Sequence, residues 1–108
     1  MIHVIATIDL APGTRDQFLD VFHSNIPNVL KEEGCLGYEP AIDIDTGLDA
    51  QGPLSEDQVV VIEKWESLNH LHAHLHAPHM EEYREAVKDY VTGATLRVLA
   101  PSTDTYHR

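Results

Sequence analysis

The sequence predicts an α+β fold. Two observations carry that expectation. Four stretches alternate apolar and polar residues with the period of a strand, and two longer stretches repeat their apolar residues with the period of a helix. Glycine and proline sit between them as punctuation.

Residues 2–10 (IHVIATIDL) open the chain as a strand. Ile2, Val4, Ala6, Ile8 and Leu10 make one strongly apolar face, and His3, Ile5, Thr7 and Asp9 a mixed one. Pro12-Gly13 ends it. Thr14 then opens a helix, with Thr14-x-x-Gln17 readable as a capping box. Phe18, Val21, Phe22 and Val29 recur at helical spacing, with Asn25 in the same stripe. Pro27 is expected to kink or interrupt this helix, and Gly34 to stop it.

Residues 35–45 alternate again, with Leu36, Tyr38, Pro40, Ile42 and Ile44 on one face. Pro40 implies an edge or a bulge. Residues 46–57 read as an acidic loop, long enough to act as a lid. Residues 58–66 form a third strand. Val59, Val61, Glu63 and Trp65 share one face, and its first half is apolar on both sides, as in a strand buried twice over. Ser67 caps a short helix to about His76, Ala77 is a joint, and Pro78 suits the first turn of a second helical segment. Gly93 breaks that segment, and residues 94–100 form a fourth strand. The order β-α-β-β-α-β is the ferredoxin-like arrangement, an antiparallel sheet with helices on one face. A single domain over residues 1–100 and a polar tail over 101–108 are expected. Two helices leave one sheet face bare although strands one and three carry apolar residues there, so a homodimer packed sheet against sheet is expected.

Composition narrows the function classes. Eighteen acidic residues stand against seven basic ones, a formal charge of −11. That balance argues against nucleic acid and against anionic membrane surfaces. No apolar run approaches the roughly 20 residues needed to cross a bilayer. Met1 leads straight into a strand pattern, so no secretory signal is expected. The single cysteine, Cys35, excludes an intrachain disulfide, is expected to be buried and inert, and suits a cytoplasmic location.

Eight histidines are present, five of them between His70 and His79, while His3, His23 and His107 are dispersed. Three short motifs stand near them. Gly34-Cys35-Leu36-Gly37-Tyr38 follows the first helix, Glu63-Lys64-Trp65-Glu66 ends the third strand, and His74-Leu75-His76-Ala77-Pro78-His79 joins the two helical segments. With the element order, these resemble the antibiotic biosynthesis monooxygenase family over about residues 1–100. The resemblance implies a dimeric α+β barrel. It also implies oxidation of an aromatic, quinol-like or anthrone substrate by O2, often with no cofactor. It singles out His74 and His79, the two histidines that match the family motif. A helical wheel instead places His72 beside the apolar face of Leu68, Leu71 and Leu75 and points His70 to solvent.

His74 and His79 are therefore candidates for a general base, or for a donor orienting a substrate oxygen. Trp65 is a candidate aromatic wall. Glu63, a carboxylate on an apolar face, is either a pocket acid or the ion-pair partner of Arg97 on a neighbouring strand. Tyr38 and Tyr83 could place phenols in a pocket, and Arg97 could stabilise an anionic intermediate. His70/His74 and His72/His76 have the i, i+4 spacing that can chelate an ion, but no third or fourth ligand pattern accompanies them, so no metal is expected. The leading expectation is a cofactor-independent monooxygenase acting on a phenolic or quinol-type aromatic. The alternative is a non-catalytic dimeric ligand-binding or stress-related domain. Haem degradation is disfavoured. The resemblance implies that haem-degrading relatives use an Asn on the first strand, a Trp on the third and a His on the second helix; Trp65 matches, but the first strand offers Ala6 and Thr7 with no Asn, and the helix stretch after Met80 has no His.

Overall fold

The computed structural model describes residues 1–103. The elements run β1 (Ile2–Leu10), α1 (Arg15–Leu30), β2 (Cys35–Ala41), β3 (Gln58–Trp65), α2 (Leu68–Leu75), α3 (Pro78–Val87) and β4 (Val91–Leu99). The four strands form one antiparallel sheet in the order β2-β3-β1-β4, which is the ferredoxin-like topology.

The period-2 pattern of β1 is realised residue by residue. Ile2, Val4, Ala6, Ile8 and Leu10 are buried and the residues between them are half-buried. The buried set packs with Phe18, Phe22 and Val29 of α1, Leu71 of α2, and Met80 and Val87 of α3. Burying apolar side chains of this size stabilises a fold by roughly 1.5–3 kcal/mol each. Register carries the same face across the sheet. Val4 stands opposite Glu63, Glu63 opposite Tyr38, and Ile2 opposite Trp65. Glu63 thus faces the core, as its place between Val61 and Trp65 predicts.

Several local expectations are corrected. Helix α1 runs unbroken through Pro27, which is exposed. The only hydrogen bond Pro27 removes is the one to the carbonyl of His23, on an exposed turn open to water. Thr14 forms no capping box: its hydroxyl donates back to the Ala11 carbonyl at 2.7 Å, so its side chain accepts nothing from the helix. Ser67 does cap α2, accepting from the His70 N–H at 3.3 Å. Strand β2 ends at Ala41, and a register shift between Cys35 and Gly37 throws Leu36 outward while Tyr38 turns inward. Strand β4 starts at Val91, so Gly93 lies within it, opposite Asp9.

The second face of β3 is open rather than buried. Ile62 is 47% exposed, and on the same side Leu99 of β4 is 38% exposed. Leu96 and Val98 are also exposed, because β4 is an edge strand that the helices do not reach. Residues 42–57 carry no regular structure but are tied down. Ser55 N–H donates to Asp43, Gly13 N–H to Asp57, and Arg15 to the Ser55 carbonyl. No helix among the described residues is long and apolar enough to cross a membrane. The expected tail falls partly beyond residue 103, and His107 with it lies outside the described residues.

Candidate active site

Glycine at residue 34 positions the end of the site that α1 supplies. The helix finishes at Leu30, and the chain turns through Lys31–Gly34 into β2, with Gly34 at φ +80°. The His70 ring lies against the Gly34 backbone, and its Nδ1 is 2.7 Å from the Ser67 hydroxyl. His70 is therefore half-buried, not directed to solvent as the wheel suggests. The turn sets Glu32 over the helix layer, where its carboxylate meets two imidazoles.

His74 Nδ1 lies 2.7 Å from Glu32 Oε2, and His79 Nε2 lies 3.2 Å from the same oxygen. The first contact is a hydrogen bond. The second is an ion-pair distance only, since His79 Nε2 is buried without a hydrogen-bond partner among the described residues. The other nitrogen of His79, Nδ1, is 3.2 Å from the Asn25 side-chain nitrogen. His74 sits in the buried stripe of α2 with Leu71 and is 1% exposed, while His72 and His76 are exposed. The motif resemblance, not the wheel, identified the inward histidine.

An aromatic layer surrounds His74. The Trp65 ring is tilted against it at 4.6 Å between centroids, and Tyr38 meets it edge-on at 5.4 Å. Tyr38 stacks on Phe22 at 5.3 Å, and Phe22 meets Tyr83 edge-on at 5.9 Å. Trp65 Nε1–H donates to Glu63 Oε1 at 3.0 Å. Six of the seven expected site residues, His74, His79, Trp65, Tyr38, Tyr83 and Glu63, therefore belong to one layer between helices and sheet.

Arg97 does not join them. It stands opposite Ile5, on the sheet face away from the helices, and is exposed. The expected Glu63–Arg97 ion pair does not form, because the register puts the two side chains on opposite faces.

Burial sets the electrostatics. Desolvation pushes the Glu63 carboxyl up to about 7, against the lowering effect of the Trp65 N–H and with a smaller push from Glu32. Desolvation holds His74 below the usual imidazole range, opposed by its hydrogen bond and attraction to Glu32. The phenols of Tyr38 and Tyr83 are pushed well above their ordinary value by burial, so both are neutral donors. Cys35 is half-buried, and desolvation raises its thiol too. Among the described residues no group of three or more His, Cys, Asp or Glu could hold a metal ion. Glu32, His74 and His79 aim at one another rather than at a common point.

Two clefts adjoin the layer. One, of about 210 Å³, opens between α1 and α3 and is lined by Asn25, Asn28, His79, Glu82 and Tyr83 among others. The other, of about 400 Å³, lies between α3 and β4 and is mainly apolar, lined by Ile8, Tyr83, Val87, Val91 and Ala94, with Arg84 and Lys88 at its side. Tyr83 borders both.

Comparison with known proteins fits this arrangement. The sequence profile of the family described as "Antibiotic biosynthesis monooxygenase" matches residues 1–86. The chain belongs to that family. It is 48% identical over 103 residues to the "Probable quinol monooxygenase YgiN" of Escherichia coli K12, covering 94% of this chain and 98% of that protein. Among solved structures, it is similar to Rv0793 from Mycobacterium tuberculosis (TM-score 0.76, 25% identity, 96% of this chain and 97% of that one). It is also similar to a conserved protein from Methanosarcina mazei Go1 (TM-score 0.79, 20% identity, 94% and 92%).

Two residues that complete the layer were not among the expected ones. Asn25 was visible as a polar interruption of the α1 stripe. Glu32 left a fainter signal. A carboxylate just past a helix C-terminus opposes the helix dipole, which favours cations there, so Glu32 needs another reason to stand where it does.

Proposed function

We propose that this member of the antibiotic biosynthesis monooxygenase family oxidises a phenolic or quinol-type aromatic with O2, with His79 as the general base. One observation carries the choice of base. His79 lines the α1–α3 cleft, whereas His74 is sealed between Trp65 and Tyr38 and cannot meet a substrate. The 48% identity to a protein named as a probable quinol monooxygenase supports the substrate class.

The chemistry needs no bound redox group. A quinol and O2 give a hydroxyquinone and water: one oxygen atom enters the ring, the other leaves as water, and all four electrons come from the substrate. The residues have to take the hydroxyl proton, because the anion reduces O2 far more readily than the phenol. They also have to keep water from the radical pair, for which Tyr83, with Val21 and Ala86, supplies the apolar part of the cleft wall. The neutral phenol of Tyr83, which borders the cleft, can donate to a substrate oxygen without competing for the proton. A homodimer through the open sheet face belongs to the same reading. It would bury Ile62, Leu99 and Ile5, which flank a shallow depression of about 460 Å³ on that face.

The test is turnover of a panel of reduced benzoquinones, naphthoquinones and anthrone under ¹⁸O2. The expected product carries one ¹⁸O, and His79→Ala loses activity by about 10²-fold or more. Unlabelled quinone with hydrogen peroxide would mean an oxidase. No uptake above autoxidation would favour the second reading, a ligand-binding domain, which the close packing of His74, Trp65 and Tyr38 also suits.

A further inference from the structure

We propose that Glu32 is the positioning residue of the site: it fixes His74 through the Nδ1–H and stands as counter-charge behind His79, whose lone pair the Asn25 amide holds toward the α1–α3 cleft. The catalytic consequence rests on the reading of His79 as base, but the tautomers stand on hydrogen-bond chemistry alone.

An ionised carboxylate only accepts hydrogen bonds. At 2.7 Å from Glu32 Oε2, His74 must carry its proton on Nδ1. For His79 the logic runs through two asparagines. Asn28 donates its amide N–H to Asn25 Oδ1 at 3.0 Å, which leaves the Asn25 amide nitrogen facing His79 Nδ1 at 3.2 Å and Met80 Sδ at 3.6 Å. An amide nitrogen donates, so His79 Nδ1 accepts. The proton of neutral His79 is then on Nε2, the buried nitrogen 3.2 Å from Glu32. One carboxylate oxygen thus faces an Nδ1–H from α2 and an Nε2–H from α3.

The consequence is directional. The accepting nitrogen of His79 is the one held by Asn25, and Asn25 and His79 both line the cleft. A substrate hydroxyl that displaces the Asn25 amide can hand its proton to Nδ1. The ring then becomes an imidazolium with Glu32 already behind it. Charge attraction does not demand the alignment that the neutral Nε2–H lacks, so the counter-charge acts once the proton has moved. His74 is the anchor. It is kept neutral by burial, with His79 and Arg84 acting in the same sense, Glu32 opposing, and the Tyr38 and Trp65 rings packed on it from the sheet. Its Nδ1–H fixes the carboxylate that serves His79.

Long-range ¹H–¹⁵N spectra of the uniformly ¹⁵N-labelled chain at pH 8 read the tautomers directly, without substrate. The expected result is a protonated Nδ1 at His74 and a protonated Nε2 at His79. In Asn25→Ala the His79 proton is no longer confined to Nε2, and in Glu32→Gln the protonation midpoint of His74 moves to lower pH. For the monooxygenase reaction, kcat falls about 10²-fold with KM within about twofold, and Glu32→Asp recovers part of it. Like tautomers in the wild-type chain, or a His74 midpoint unmoved in Glu32→Gln, would overturn the proposal. The wild-type spectrum can overturn it even if the variants do not fold. Opposed tautomers with a shifted His74 midpoint in Glu32→Gln, in a chain that turns over no quinol, would uphold the role of Glu32 and remove the monooxygenase reading instead.

Discussion

Glu63→Gln should stabilise the protein, and only above mildly acidic pH. Glu63 is 6% exposed, faces Val61 and Trp65, and has its carboxyl pushed from 4.5 up to about 7 by burial. Between those values the unfolded chain releases a proton that the folded chain keeps. Stability therefore falls as pH rises from about 4.5 to 7 and is level beyond, since both states are then ionised. At about 1.36 kcal/mol per pH unit, the cost of the buried charge at pH 8 is about 3 kcal/mol. Glutamine keeps an oxygen to accept from Trp65 Nε1–H and carries no charge. The assay is urea unfolding from pH 4.5 to 8 at one protein concentration. Trp65 is the only tryptophan and fully buried, so its fluorescence reports the transition. The variant should gain about 2–3 kcal/mol on the wild type at pH 8 and almost nothing at pH 4.5. Parallel pH dependences for the two proteins would refute the placement of an unpaired carboxyl in the core.

Other substitutions probe neighbouring contacts. Trp65→Phe removes the donor that lowers Glu63, so its destabilisation of about 1–3 kcal/mol should be larger at pH 8 than at pH 5, and equal losses by circular dichroism would contradict this. Gly34→Ala places a Cβ 2.3 Å from His70 Cγ at φ +80°, and should cost about 2 kcal/mol or more; adding His70→Ala removes the ring contacts but leaves the one to the residue-70 Cβ at 2.7 Å and the backbone strain, so only part of the loss in Tm should be recovered. Ile62→Glu charges the open face of β3, and should shift the species seen by light scattering from dimer to monomer while the fold persists; an unchanged mass would remove the sheet face as the interface.

The order of elements was readable because strand and helix periods differ, and here each stretch keeps one period cleanly. Glu63 and Trp65 were placed on the core face by counting from Val59. What depends on register was not readable. Arg97 and Glu63 look like partners on adjacent strands until the pairing of β1 with both neighbours puts Arg97 opposite Ile5 and Glu63 opposite Val4. A one-residue difference in pairing reverses the face. Glu32 was hidden for another reason. Lys31-Glu32-Glu33 has the composition of any solvated helix end, and only the fold brings it to residues 42 and 47 positions further along. The competition at Thr14 was equally local: one hydroxyl had two backbone partners in reach and took the carbonyl behind it.

The joint between α2 and α3 sets an angle. His74 and His79 are five residues apart, and in an uninterrupted helix, at about 100° per residue, their side chains would leave the axis roughly 140° apart. They could not share one oxygen. Ending α2 at Leu75 and restarting at Pro78, with Ala77 in extended conformation at ψ 139°, resets the helical phase and turns both rings toward Glu32. Pro78 enforces the reset, since it cannot donate into a preceding turn and keeps Ala77 out of the helical region. The proline is thus a phase-setting element for the site.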